Sequence, residues 1–80
     1  MDAATESRLL DIIEEIADDP VVRDEPDIDL FEEGLLDSIA AIELLVTIES
    51  EFNVRISPTE LEREEMNTVN KIIARVRERL

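Results

Sequence analysis

The chain has 80 residues, with 22 acidic side chains against 8 basic ones, a formal net charge of −14, no histidine and no cysteine. This length predicts one domain over residues 1–80 with too small a core for a self-contained catalytic cleft. The missing residue types exclude Ser-His-Asp and Cys-His nucleophile systems, zinc sites of the usual N/S ligands, and disulfides. Such an acidic surface repels nucleic acid and favours partners with basic faces.

The N-terminal stretch MDAATESRLLDIIEEIADD has neither a basic n-region nor an unbroken apolar run, so it does not read as a signal peptide. No later run approaches membrane-spanning length. A cytoplasmic protein, not inserted in a membrane and acting as a monomer, is the expectation. Leu9, Leu10, Ile12, Ile13, Ile16 and Ala17 recur at helical spacing with Asp11, Glu14, Glu15 and Asp18 opposite, which predicts an amphipathic first helix ended by Pro20.

From Val21 to Asp37 the pattern breaks at Pro26, Gly34 and seven acidic residues, so a long loop is expected. Val22, Ile28, Leu30, Phe31 and Leu36 supply the apolar surface to pin it, with Leu30 and Phe31 as core plugs. The charge is uneven along the chain: residues 1–38 hold fourteen acids against Arg8 and Arg23, and residues 39–80 hold eight acids against six bases. Asp24, Glu25, Asp27, Asp29, Glu32 and Glu33 raise the alternative of an acidic cation-binding module. An EF-hand register fails, because counting from Asp27 places Phe31 fifth, Glu32 sixth and Ser38 twelfth. No metal site is assigned.

Asp37 and Ser38 are residue types that cap a helix, so a second helix is predicted over roughly Ser38 to Phe52. Its N-terminal pole favours an anion at Ser38. At about 100° per residue, Ala41, Leu44, Leu45, Ile48 and Phe52 share one face, while Ile39, Ile42 and Val46 form a second stripe. One stripe suffices for a core. The second starts beside Ser38 and is flanked by Glu43 and Glu49, the pattern of a docking patch with a polar rim.

Asn53 stops this helix, and Val54 to Ile56 read as extended. Ser57 and Glu60 form a capping box for a short third helix anchored by Leu61. Thr68 caps the final helix, with Val69, Ile72, Ile73, Val76 and Leu80 as its buried stripe. Lys71, Arg75, Arg77 and Arg79 suit its C-terminal pole and can pair with the acidic first helix or loop.

Asp29, Phe31, Gly34, Asp37, Ser38 and Ile39 together fit DxFxxGxxDS[LIM] before an amphipathic helix. This resembles the phosphopantetheine attachment segment of acyl, aminoacyl and peptidyl carrier proteins, and the likeness covers nearly the whole chain. The segment ELEREEMNTVNKIIARV is most similar to the D-alanyl carrier proteins, whose pattern runs close to EFDREEWNTPNKIIA. Met66 stands where those carriers have Trp, and Val69 where they have Pro.

The resemblance implies an all-α, four-helix bundle of acyl-carrier-protein type, with a long loop between its first two helices and a short third helix. It implies that the protein is no enzyme but a carrier whose Ser38 bears phosphopantetheine, with Asp37 positioning the transferase or its metal. Ile39, Ile42, Glu43, Val46 and Glu49 would then meet partner enzymes. Those partners are a phosphopantetheinyl transferase using coenzyme A and Mg²⁺, an ATP-dependent aminoacyl or acyl ligase, and a downstream acyltransferase. The cargo reading is D-alanine for teichoic acid D-alanylation. A stand-alone carrier in polyketide or nonribosomal peptide assembly is the alternative. A helical adaptor is the alternative of another class, and it predicts full function in Ser38→Ala.

Overall fold

A computed structural model describes residues 1–57 and 63–80. Its described residues form helices α1 (Ala3–Ala17), α2 (Val21–Asp24), α3 (Ser38–Phe52) and α4 (Val69–Arg79), with a 3-10 turn at Arg63–Glu65 and no strand. The all-α expectation holds. The Ser57–Glu60 capping box and the Leu61 anchor rest on positions outside the described residues.

Helix α1 starts where the Asp2 carboxylate accepts from the Thr5 backbone N–H at 2.7 Å. That bond is the main reason the Asp2 carboxyl is held below its ordinary pKa. The helix ends earlier than Pro20, at Asp18, which takes the left-handed conformation and donates its N–H to the Glu14 carbonyl. Pro20 instead opens α2, a turn too short to leave any periodicity in the sequence. The Asp19 carboxylate accepts from the Val21 N–H at 2.9 Å, and Arg23 pairs with both Asp11 and Glu14 of α1.

Helix α1 packs against α2, α3 and α4. Leu9, Ile12 and Ile13 from α1 meet Leu44, Leu45 and Ile48 from α3, and Val69, Ile72, Ile73 and Val76 from α4 complete the core. Full burial stabilises by about 1.5–3 kcal/mol per side chain of this size. Leu80 departs from the expected stripe: it lies beyond the last turn and is 57 % exposed.

The long loop is fastened to this core as the apolar pattern predicts. Val22, Leu30 and Leu36 are buried, and Ile28, Phe31 and Leu35 are partly covered. Phe31 is thus a half-buried lid on the core, whereas Leu30 is a true plug. Gly34 has φ +74°, a conformation in which other residues are strained, so glycine is required here for backbone reasons. After α3, Asn53 provides a left-handed cap, and Val54 and Ile56 point inward with Arg55 exposed between them. Met66 and Thr68 are buried at the approach to α4, whose first turn is capped by the Thr68 hydroxyl accepting from the Lys71 N–H at 3.1 Å.

The expected pairing of the last helix with the first is present in Arg77 and Glu6, 3.9 Å apart. A shorter tie joins Arg8 of α1 to Glu51 of α3, at 2.5 Å. Its hydrogen bond lowers the Glu51 pKa and raises that of Arg8.

Candidate functional site

Two capping-competent residues stand at the start of α3, and the backbone divides their roles. Asp37 is extended, at φ −115° and ψ −176°, and its Oδ1 accepts from the Ala40 N–H at 2.7 Å. Ser38 is the first residue of the helix. Its hydroxyl is exposed and makes no hydrogen bond among the described residues. With the cap supplied by Asp37, no local structural task is left for that hydroxyl.

The first turn of α3 is also an anion site in the making. The Asp37 carboxylate satisfies Ala40, and the Ala41 N–H reaches the Asp37 carbonyl at 2.9 Å. The N–H groups of Ser38 and Ile39 have no protein partner among the described residues. A phosphodiester on the Ser38 oxygen would stand beside two donors at the positive end of the helix, so the residues present fit that group.

The second stripe predicted on α3 is uncovered. Ile39 is 79 % exposed, Ile42 51 % and Val46 61 %, whereas Leu44, Leu45 and Ile48 are buried. Glu43 and Glu49 are exposed on the same helix. Beside the stripe runs an open groove of about 580 Å³, lined by Ile42, Leu45, Val46, Glu49, Arg55, Ile56 and Ser57. Glu49 and Arg55 stand 3.6 Å apart at its rim, an exposed pair worth about 0–1 kcal/mol.

The loop that delivers Ser38 is held from the start of α4 and the residues just before it, through side-chain amides that the sequence pattern did not point to. The Asp29 carboxylate accepts from the Phe31 and Glu32 N–H groups, each at 3.0 Å, and from the Asn67 side-chain amide at 2.8 Å. The Leu30 N–H donates back to the Asn67 carbonyl at 2.7 Å. Asp27 accepts from the Asn70 side chain at 2.7 Å, and the Asn70 N–H reaches the Pro26 carbonyl. In sequence Asn67 and Asn70 read only as marks of family likeness, and Lys71 as one more base of the last helix. Their partners lie far along the chain, and spacing carries no signal for them.

These bonds bear on the cation-binding alternative. Asp27 and Asp29 are turned toward amide donors, and the described residues gather no group of three acidic, His or Cys side chains suited to a metal ion. Among the same residues, no helix is long and apolar enough to cross a membrane.

A helical fold that presents an exposed serine hydroxyl at a helix start, beside an uncovered apolar stripe, leaves room for a covalently attached group and a face for another protein. A sequence profile described as "Phosphopantetheine attachment site" matches residues 7–76. The D-alanyl carrier protein of Lactococcus lactis subsp. cremoris is 49 % identical over 72 residues, covering 90 % of this chain and 91 % of the relative. Those of Bacillus licheniformis and Bacillus subtilis are 44 % and 43 % identical over 70 residues, covering 88 % of this chain and 90 % of each relative. The chain belongs to the phosphopantetheine-bearing carrier family, alongside the D-alanyl carrier proteins. Its cofactor is a covalently attached phosphopantetheine, and it serves as a cosubstrate of transferase, ligase and acyl-transfer partners, not as a catalyst.

Proposed function

We propose that this protein carries D-alanine, bound through phosphopantetheine on Ser38, and delivers it for teichoic acid D-alanylation. The observation that carries the reading is the Ser38 hydroxyl, exposed and released from capping by Asp37, at the head of the uncovered Ile39, Ile42 and Val46 stripe. The names of the relatives support the cargo. When bound, the group supplies the thiol that a chain without cysteine lacks, and holds the cargo as a thioester.

Each residue has a definable task in this reading. Ser38 provides the nucleophilic hydroxyl, and the base that takes its proton belongs to the transferase. Asp37 holds the helix start and sets a negative charge next to the reacting oxygen, where a partner's Mg²⁺ or basic side chain can meet it. Ile39, Ile42 and Val46 provide desolvated contact area, and Glu43 and Glu49 orient basic partner faces by steering. The partners are a phosphopantetheinyl transferase, an ATP-dependent ligase that activates D-alanine, and an acyltransferase. The protein acts as a monomeric, single-domain unit in the cytoplasm.

Intact mass spectrometry after incubation with coenzyme A, Mg²⁺ and a broad-specificity phosphopantetheinyl transferase tests the attachment. Wild type gains one phosphopantetheine and Ser38→Ala gains none. Adding a D-alanine-activating ligase with ATP then gives a further alanyl increment with D-alanine. Loading of Ser38→Ala refutes the site, and equal acceptance of assembly-line acyl groups with rejection of D-alanine refutes the cargo.

A further inference from the structure

Leu30 joins two parts of the molecule that are distant in sequence. Its N–H is held by the Asn67 carbonyl at the approach to α4, and its carbonyl accepts from the N–H groups of Leu35, at 2.8 Å, and Leu36, at 3.0 Å. Leu36 directly precedes the Asp37 cap. A continuous hydrogen-bonded path therefore runs from Asn67 through Leu30 to the residues that introduce Ser38.

The Asn67 side chain closes the same connection from another side. Its Nδ2 donates to the Asp29 carboxylate, whose other oxygen shapes the turn at Phe31 and Glu32. Its Oδ1 accepts from the Lys71 ammonium at 3.1 Å, and that ammonium also donates to the Glu64 carbonyl at 2.8 Å. An amide has one donating and one accepting end, so Lys71 determines which end faces Asp29. Lys71 and Asp29 thus fix Asn67 from opposite sides.

We propose that Asn67, oriented by Lys71, is a positioning residue for the loading of Ser38: it latches the loop between Asp29 and Leu36 so that loop and α3 stand in the register a transferase must grip. The proposal rests on the carrier reading above. A transferase working on Ser38 meets the loop on one side of that residue and the α3 stripe on the other. Helical hydrogen bonds hold the stripe, but the loop's placement relative to it depends on the path through Leu30. Opening the latch leaves the buried Leu30 and Leu36 side chains as anchors, so the backbone between them loosens while the bundle persists. A partner that binds only the latched form then sees a smaller competent fraction, which weakens apparent affinity and leaves the chemical step alone.

The test is a charge exchange across the latch. Asn67→Asp sets two carboxylates against each other, and Asp29→Asn with Asn67→Asp restores an amide–carboxylate pair. In the double variant the amide that then follows Ile28 keeps a carbonyl oxygen able to accept from Phe31 and Glu32, and the carboxylate that then follows Met66 faces Lys71. Amide hydrogen exchange is followed by NMR at Leu30, Leu35 and Leu36, with Ile48 and Val76 as reporters of global opening. The KM and kcat for loading with coenzyme A, Mg²⁺ and the transferase are measured alongside.

The single variant is expected to speed exchange at the three loop amides about tenfold, with Ile48 and Val76 unchanged. It should raise KM for the carrier severalfold while kcat stays within about twofold, and the double variant should restore both. Faster loop exchange with unchanged KM overturns the proposal. So does exchange that rises equally at Ile48 and Val76, which makes the contact a merely structural one, or a double variant that recovers loop protection but not KM. A wild type that accepts no arm overturns the carrier reading and this proposal together, and it shows as a wild-type zero and not as a difference between variants.

Discussion

Asp37 has two separable properties, an oxygen that caps α3 and a charge beside Ser38, and two substitutions divide them. Asp37→Ala removes the acceptor for the Ala40 N–H, now held at 2.7 Å, which costs about 1 kcal/mol. For a domain of this size that lowers Tm by about 4–8 °C. Asp37→Asn keeps an oxygen in the same place, because asparagine caps as well as aspartate, so its stability stays within about 0.5 kcal/mol of wild type at moderate salt. Thermal unfolding by far-UV circular dichroism ranks the three proteins. Loading rates, read by intact mass at a temperature where all are folded, then isolate the charge. If the carboxylate meets the transferase or its metal, Asp37→Asn loads about tenfold more slowly, equivalent to about 1.4 kcal/mol in the barrier, despite a wild-type Tm. An Asn variant that loads at the wild-type rate reduces Asp37 to a cap. An Ala variant with undiminished Tm refutes the capping argument itself.

Other expectations follow from the same geometry. Ile42→Asp replaces a side chain already 51 % exposed, so its circular dichroism and Tm stay near wild type while loading slows; an unfolded variant would assign Ile42 to the core. Gly34→Ala meets no atom within 4 Å of the added Cβ, so its cost is the left-handed backbone alone, about 1–2 kcal/mol in denaturant unfolding. Glu51 has a pKa lowered from 4.5 by Arg8, so the stabilisation from this pair is present above that pH and is lost as pH falls through the lowered value. Accordingly, Glu51→Gln should unfold at a lower temperature than wild type at neutral pH, and the difference should vanish in strong acid.

The parts of the fold written in the sequence are those whose physics is local. Helices α1, α3 and α4 carry apolar residues at helical spacing over 15, 15 and 11 residues, long enough for the period to show. The uncovered stripe on α3 was legible for the same reason: Leu44, Leu45 and Ile48 already fill one face, leaving Ile39, Ile42 and Val46 in excess. Helix α2 has four residues inside an acidic loop and leaves no period. Asp37 and Ser38 are equally able to cap, so only the backbone angles assign the cap to one and free the other. The latch was illegible because Asp29 and Asn67 are 38 positions apart, and each has an ordinary local explanation as a turn or cap residue.

Met66, buried to 6 % exposure, immediately precedes the amide that latches the loop, in a chain with no tryptophan or tyrosine. The protein is therefore optically almost silent in the near ultraviolet, and Met66→Trp would give it a single emitter next to the latch, at the position where the D-alanyl carrier pattern has tryptophan. The larger ring costs about 1–3 kcal/mol if the surroundings do not yield. Its emission would redden as water reached the junction, so the loop's opening could be timed by stopped flow during an encounter with a partner, with no dye attached and no other emitter in this chain.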